Sequence, residues 1–267
     1  MHVLADKTAL VTGSVTGIGL AIAEALAQTG MRIAIHGLVD QPTADKVAEG
    51  LEKLGASETR YFDADLRDPD AVNRMMQAMH DWGGVDILVN NAGMQKTLPL
   101  GECDHQFWQD VLAVNLTGAF LTMQHVMPGM AERGYGRVVN IASVHGLVAS
   151  VNKAPYVTSK FGLIGLSRVV ALEYAALGEK EKGAITVNCI CPGWTETPLI
   201  EPQVQARAAQ LGGDREAGIV DLLKEKQPSR RTSSTKEIGE LALWLCQPIA
   251  HNITGAAIPV DGGWTAQ

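Results

Sequence analysis

The sequence predicts an α/β fold in which a doubly wound, parallel, seven-stranded sheet carries helices on both faces. Three observations lead to it. Short β-like apolar runs recur along the whole chain. Stretches of helical periodicity separate most of them. The runs are also apolar almost continuously, which is what a sheet covered on both faces requires.

In chain order the strand-like runs are TALVT (8–12), RIAIH (32–36), TRYFDA (59–64), VDILVN (85–90), RVVNIA (137–142), AITVNCI (184–190) and GAAIPV (255–260). The first helical stretch, IGLAIAEALAQTG, ends on Gly30, the residue type that most readily terminates a helix. The alternation fails over about residues 195–230, a long connection rich in Glu, Gln and Ala. It is too long for an idle loop and reads as one or two helices lying over a site, a small helical lid. No linker or repeat divides the chain, so residues 1–267 read as one domain.

Hydrophobic content of 46% supports a sizeable core, and a formal charge of −7 gives no electrostatic footprint for nucleic acid or an acidic membrane. No apolar run approaches a membrane span, and MHVLADKTALVTGS has neither the charged start nor the cleavage site of a signal peptide. The four cysteines are scattered. Cys189 and Cys191 fall in a strand-like run, where we expect small buried side chains on opposite faces and no metal site. A reducing cytoplasm is the expected compartment.

Where the first strand meets the first helix stands TGSVTGIG, with glycines at 13, 17 and 19. They let the backbone turn tightly and approach a pyrophosphate at a helix N-terminus, as in Rossmann-type dinucleotide sites. The spacing G-x-x-x-G-x-G resembles that of the short-chain dehydrogenase/reductase family. NNAG (90–93), Ser143, the Y-x-x-x-K of Tyr156 and Lys160, and PGW (192–194) follow in the family's order. All fall at or just beyond carboxyl ends of predicted strands, where open α/β sheets bind ligands. The resemblance spans essentially the whole chain.

Tyr156 and Lys160 are four residues apart and share a helix face. A free phenol is too weak a base at neutral pH, so a nearby ammonium is expected to lower its pKa. Tyr156 can then take a hydroxyl proton while Ser143 hydrogen-bonds the reacting oxygen. The resemblance adds Asn115, in AVNLTG, as the residue holding a water that links the lysine to solvent. It also implies cofactor contacts at Gly13, Ser14, Thr16, Gly17, Ile18, Gly19, Leu38, Leu66, Asn91, Ala92, Gly93, Val114, Tyr156, Lys160, Pro192, Gly193, Trp194 and Thr195, with Asp65 meeting the adenine amino group.

NAD is the expected cofactor. Enzymes of this fold that use NADP place Arg or Lys near the end of the second strand, whereas IHGLVD offers His36, Gly37 and Leu38, with Asp40 too far along. Position 16 is threonine, so His36 alone stands where a 2′-phosphate would need a partner. HGL also departs from the Asn-Gly-Phe commoner among the relatives considered next.

The segment 143–160 also carries His145 and Lys153, two potential cations that a dry pocket would keep only for an anion. Gln95 and Gln203 can converge with them into a donor cluster suited to one carboxylate, while Trp194 and Trp264 wall in a small apolar group. This constellation, in NNAGMQ, IASVHGLV, ICPGWTETPL, LLKEKQPS and VDGGWTAQ, resembles the branch of the family that interconverts (R)-3-hydroxybutyrate and acetoacetate. There the residues matching Gln95, His145, Lys153 and Gln203 bind the carboxylate, and those matching Trp194 and Trp264 border the methyl end. The resemblance implies a homotetramer. Two alternatives are a 3-oxoacyl-thioester reductase, which needs a basic entrance, and a non-catalytic nucleotide sensor, which has no need of Ser143, Tyr156 and Lys160 together.

Overall fold

The computed structural model describes residues 3–180, 183–198 and 200–266. Among them are β1 (Thr8–Val11), β2 (Arg32–His36), β3 (Glu58–Phe62), β4 (Ile87–Asn90), β5 (Tyr135–Ile141), β6 (Ala184–Pro192) and β7 (Ala257–Val260). They form one seven-stranded parallel sheet, as predicted, and its strand order is β3-β2-β1-β4-β5-β6-β7. The chain winds outward from β1 in one direction and from β4 in the other, so the switch point lies between them. In such sheets ligands bind outside the carboxyl ends of the strands at that point.

The helices are α1 (Gly17–Ala27), α2 (Gln41–Leu54), α3 (Pro69–Asp81), α4 (His105–Leu112), α5 (Gly118–Arg133), α6 (Ala154–Tyr174), α7 (Glu201–Gln210), α8 (Arg215–Lys226) and α9 (Thr235–Cys246). Their starts are written locally. Asp40, Asp68 and Asp104 each accept a hydrogen bond from a first-turn backbone N–H, and Ser234 with Glu237 forms a reciprocal capping box.

Strand alternation sends Leu10 to one face of the sheet and Ala9 and Val11 to the other. On the first face, Leu10, Leu88 and Val138 pack against Val72, Met76, Met123 and Leu163 of α3, α5 and α6. On the second, Val11, Ile33, Val89 and Ile141 pack against Ile22, Leu26, Ile238 and Leu245 of α1 and α9. Cys189 and Cys191 both lie in the first core, so the expectation of opposite faces is wrong. Residues two apart in a strand point the same way. Both are free, buried thiols, pushed up to about 11 and about 12 by desolvation.

One polar chain crosses the first core. Thr122 Oγ1 donates to Asn90 Oδ1 at 2.7 Å, Asn90 Nδ2 to Asn140 Oδ1 at 2.9 Å, and Asn140 Nδ2 to Ser167 Oγ at 2.7 Å. It ties β4 and β5 to α5 and α6 with each buried amide satisfied, which fixes their mutual register.

The glycine turn is sterically forced. Gly13 has φ +63°, and a Cβ there would lie 2.9 Å from the Ala92 Cα. At Gly19 a Cβ would stand 2.2 Å from the Gly13 carbonyl oxygen. Gly50, in the middle of α2, has nothing within 4 Å of that position. Gly19→Ala should therefore lower Tm by about 5 °C, the result of an overpacking cost of about 1–3 kcal/mol. Gly50→Ala should raise Tm slightly, by about 1 kcal/mol of helix propensity. Thermal melts of the two variants check the pair; equal effects would contradict the packing described.

Candidate active site

Two connected clefts open along the carboxyl edge of the sheet. The outer one, about 730 Å³, runs over the switch point, and the inner one, about 130 Å³, lies between the ends of β5 and β6 and the lid. The first is within the usual range for a small-molecule site. The second has room only for something small.

Side chains stitch the ends of β1 and β4 together at the outer cleft. Thr12 Oγ1 accepts from the N–H groups of Asn91 and Ala92, both at 3.0 Å. Asn91 Nδ2 donates back to Thr12 O at 3.0 Å and Gly13 O at 2.9 Å. The glycine turn is thus fixed before any ligand arrives. Of the residues expected to meet a cofactor, Gly13, Thr16, Gly17, Ile18, Leu38, Asp65, Leu66, Asn91, Ala92, Gly93 and Val114 line this cleft. Ser14 and Gly19 do not. Ser14 is fully buried, its Oγ accepting from His36 N at 3.0 Å, and Gly19 closes against Gly13. Val15, Gly37, Met94, Thr197 and Pro198, neighbours of the expected contacts within the same motifs, also line it, as does Arg67, which no motif marks.

His36 is not available to a phosphate. Its ring is buried, Nδ1 accepting from Gly13 N at 3.1 Å while Nε2 donates to Ala64 O at 2.7 Å. Desolvation lowers its pKa, so it serves as a neutral brace between β2 and the glycine turn. Asp65 is likewise engaged. Arg67 donates to its two oxygens at 3.0 and 2.6 Å, which lowers the carboxyl's pKa and holds it in place at the cleft. Arg67 is balanced further by Asp110 at 3.8 Å.

In the inner cleft the predicted Ser143, Tyr156 and Lys160 come together, Ser143 at the end of β5 and the other two on one face of α6. Lys160 Nζ donates to Ile141 O at 2.7 Å and lies 5.6 Å from the Tyr156 ring centroid. The expected lowering of the phenol's pKa is not what this geometry produces. Burial pushes Tyr156 up, opposed by a hydrogen bond from Ser143, and burial also pushes Lys160 down to about 8. Desolvation of the phenolate outweighs the attraction of a lysine that is itself desolvated. Asn115 lies in a π-helical turn, Ala113–Thr117, between α4 and α5. Its Oδ1 accepts from Met94 N at 2.8 Å, and its Nδ2 donates to Met94 O and Ser159 Oγ. The side chain thus ties the loop after β4 to α6.

Gln95, His145, Lys153, Trp194, Gln203 and Trp264 all line the same inner cleft, though they are up to 169 positions apart, with Pro192, Gly193 and Thr195 beside them. Lys153 Nζ donates to Gln203 Oε1 on α7 at 3.2 Å. The two indoles stack at 6.3 Å between centroids, and the His145 ring stands edge-on to Trp264 at 5.4 Å. Trp264 is aimed by Asp261, whose carboxylate accepts from Gly263 N, Thr265 N and Thr265 Oγ1. Trp194 N donates to Gln227 Oε1, the buried glutamine of LLKEKQPS, to which the sequence assigned no role. Among the described residues lining this cleft none is acidic.

His145 is not a cation here. Burial, then Lys153 and Lys226, pushes it down to about 3, leaving a neutral imidazole whose Nδ1 is buried without a hydrogen-bond partner. Lys153, lowered to about 8 by burial and by Lys226, still holds most of its charge at neutral pH. The second cation is Lys226, at the end of α8, which sequence spacing did not single out.

The glycine turn leads into the N-terminus of α1, and a Cβ at Gly13 would fill the space above the Ala92 backbone. A dinucleotide's pyrophosphate fits such a site. The inner cleft then offers a phenol, a hydroxyl and an ammonium to one oxygen of a small molecule. Together, fold and site define an oxidoreductase that binds a nicotinamide dinucleotide.

The family described as short chain dehydrogenase matches residues 7–208, and the chain belongs to it. Over 266 residues it is 43% identical to the D-beta-hydroxybutyrate dehydrogenase of Cupriavidus necator, covering 99% of this chain and 100% of that one. It is 40% identical to the protein of the same name from Rhizobium meliloti, over 98% and 99% of the two chains. The crystal structure of L-sorbose reductase from Gluconobacter frateurii, complexed with NADPH and L-sorbose, superposes with a TM-score of 0.90 at 29% identity, covering both chains completely.

The depressed His145 has a thermodynamic signature. Between its ordinary value near 6.5 and about 3, the unfolded chain binds a proton that the folded chain refuses. His145 therefore contributes stability above pH 6.5 that is lost as pH falls through that window. His145→Gln should lose less Tm than the unsubstituted protein between pH 7 and about pH 4, read as the difference between two melting series. Parallel series would show that His145 titrates in the folded protein as it does in solution.

Proposed function

We propose that the protein catalyses the NAD-dependent, reversible oxidation of (R)-3-hydroxybutyrate to acetoacetate. The observation that carries this reading is the Lys153–Gln203 pair beside the neutral His145, walled by Trp194 and Trp264, with no acidic residue lining the cleft. A desolvated ammonium without a counter-ion suits a substrate that brings its own carboxylate. The stacked indoles wall a cleft of only about 130 Å³, which suits a small apolar end such as a methyl group. The names of the two relatives above support the same substrate and the same hand.

When bound, NAD supplies the hydride acceptor and a positive charge that offsets the burial penalty on the Tyr156 phenolate. Tyr156 accepts the hydroxyl proton as the substrate's carbon–oxygen bond becomes a carbonyl. Ser143 donates to that oxygen and holds its developing charge. Lys160, anchored on Ile141 O, favours the phenolate from 5.6 Å. Lys153, Gln203, Gln95 and His145 fix the carboxylate, so that the hydroxyl carbon is held where Tyr156 and Ser143 can reach its oxygen. NAD is preferred to NADP because His36 is spent on Gly13 and Ala64, and Arg67 on Asp65.

A cytoplasmic homotetramer belongs to this reading. Phe161, Val169 and Leu172 form an exposed apolar stripe on α6, with Phe120 exposed on α5, and a second copy can cover them.

Tyr156→Phe should lose nearly all turnover yet bind NADH normally, because the phenol oxygen accepts the proton while the fold does not need it; normal turnover would exclude this base. For the substrate, NADH formation is followed with 3-hydroxybutyrate, its methyl ester and 2-butanol. The acid should exceed both in kcat/KM by at least about tenfold, since each charge-assisted hydrogen bond is worth about 1.5–3 kcal/mol. NAD should exceed NADP by about tenfold in the same assay. Comparable rates on acid and ester would remove the substrate assignment, and preference for a thioester would replace it.

A further inference from the structure

The lid is one stiff piece. Arg207 on α7 pairs with Asp221 and Glu225 on α8, and Arg215 on α8 pairs with Glu201 on α7. The helices cross closely at Gly218, where a Cβ would lie 2.9 Å from Val204 O and Ala208 N. Such a unit docks or lifts as a whole.

It reaches the fixed loop between β5 and α6 at two side-chain bridges. One is Gln203 to Lys153, which the substrate's carboxylate must enter and rearrange. The other is Lys226 Nζ to Ser150 Oγ at 2.8 Å, and neither of these two residues lines the inner cleft. The same ammonium lies 5.4 Å from the centroid of the Trp264 ring. Trp264 stacks on Trp194, and Lys153 lies 5.6 Å from the Trp194 centroid, so the two lysines and the two indoles form a continuous array. Lys224, two residues earlier and so on the opposite side of α8, is exposed.

We propose that Lys226 is a positioning residue: through Ser150 it docks the lid independently of substrate, and through Trp264 it sets the size limit of the pocket. The ammonium gains a hydroxyl acceptor on the fixed loop and an aromatic face, both of which are lost when the lid lifts. Holding Trp264 in place keeps the wall against the methyl end of the substrate. The size limit rests on the function proposed above; the docking does not.

The test uses the intact protein as Lys226→Met, Lys226→Arg, Ser150→Ala and the Ser150→Ala/Lys226→Met double variant. Amide hydrogen exchange over residues 201–226 is measured first, without substrate. Exchange should quicken by about tenfold in Lys226→Met and Ser150→Ala, the loss of one charge-assisted hydrogen bond from lid closure. The double variant should exchange no faster than Lys226→Met, and Lys226→Arg should approach the unsubstituted protein. Kinetics with NAD follow, on 3-hydroxybutyrate and 3-hydroxyhexanoate. Lys226→Met should raise KM for the shorter acid by about fivefold with kcat little changed, and lessen its advantage over the longer acid by a similar factor.

Unchanged exchange and unchanged size preference in Lys226→Met would overturn the proposal. So would exchange effects that multiply in the double variant, or a fall in kcat with KM intact. If the unsubstituted protein does not oxidise 3-hydroxybutyrate, the function proposed above fails, while the exchange experiment still decides the docking. Should Lys226→Met fold poorly, Ser150→Ala and Lys226→Arg carry both readouts.

Discussion

The structure depends on one constraint: a parallel sheet covered on both faces leaves only its carboxyl edge for polar chemistry. Leu10 and Val11 on neighbouring positions of β1 both vanish into cores, one on each side. The polar groups that follow them, from Thr12 onward, are the first free to meet a ligand or each other. Thr12 and Asn91 use that freedom to join the ends of β1 and β4, on opposite sides of the switch point. Everything described at the outer cleft hangs from that junction. His36 extends it to β2, and Asn115 extends it to α6 by way of Met94.

Burial then sets the chemistry more than charge pairing does. Desolvation is the largest cause acting on Tyr156, Lys160, Lys153 and His145 alike. A phenol pushed up and an ammonium pushed down to about 8 stand further apart in proton affinity than they do in water, so the phenol holds its proton more tightly and the lysine more loosely. A positive ligand alongside favours the phenolate and brings the phenol's pKa back down toward the working range. The same desolvation keeps His145 neutral, so that its ring packs edge-on against Trp264 while Lys153 retains the charge beside it.

The lid completes a site whose other half is rigid. Its two helices bring Gln203 and Lys226 to a loop that β5 and α6 already hold. Gln227, just past α8, accepts from Trp194 N and so links the lid's end to the strand-end loop after β6. This end of the cleft is therefore assembled from three distant segments, with the lid hydrogen-bonded to each of the other two.

The sequence by itself determined the strands, their parallel arrangement, the glycine turn and the shared helix face of Tyr156 and Lys160, because these rest on local period, on glycine's conformational freedom and on fixed helical spacing. The meeting of Ser143 with that pair, and of the six residues around the inner cleft, was legible through the family resemblance of the motifs that carry them. Tertiary structure alone decided how the polar side chains are spent. Nothing in IHGLVD reveals that the ring of His36 is consumed by Gly13 and Ala64, nor in ADLR that Arg67 occupies Asp65. Lys226 in KEKQ looks like any solvated lysine until α8 folds back over Trp264. Hydrogen-bond commitment and desolvation are properties of the full surroundings of an atom, and those surroundings come from segments that the sequence keeps far apart.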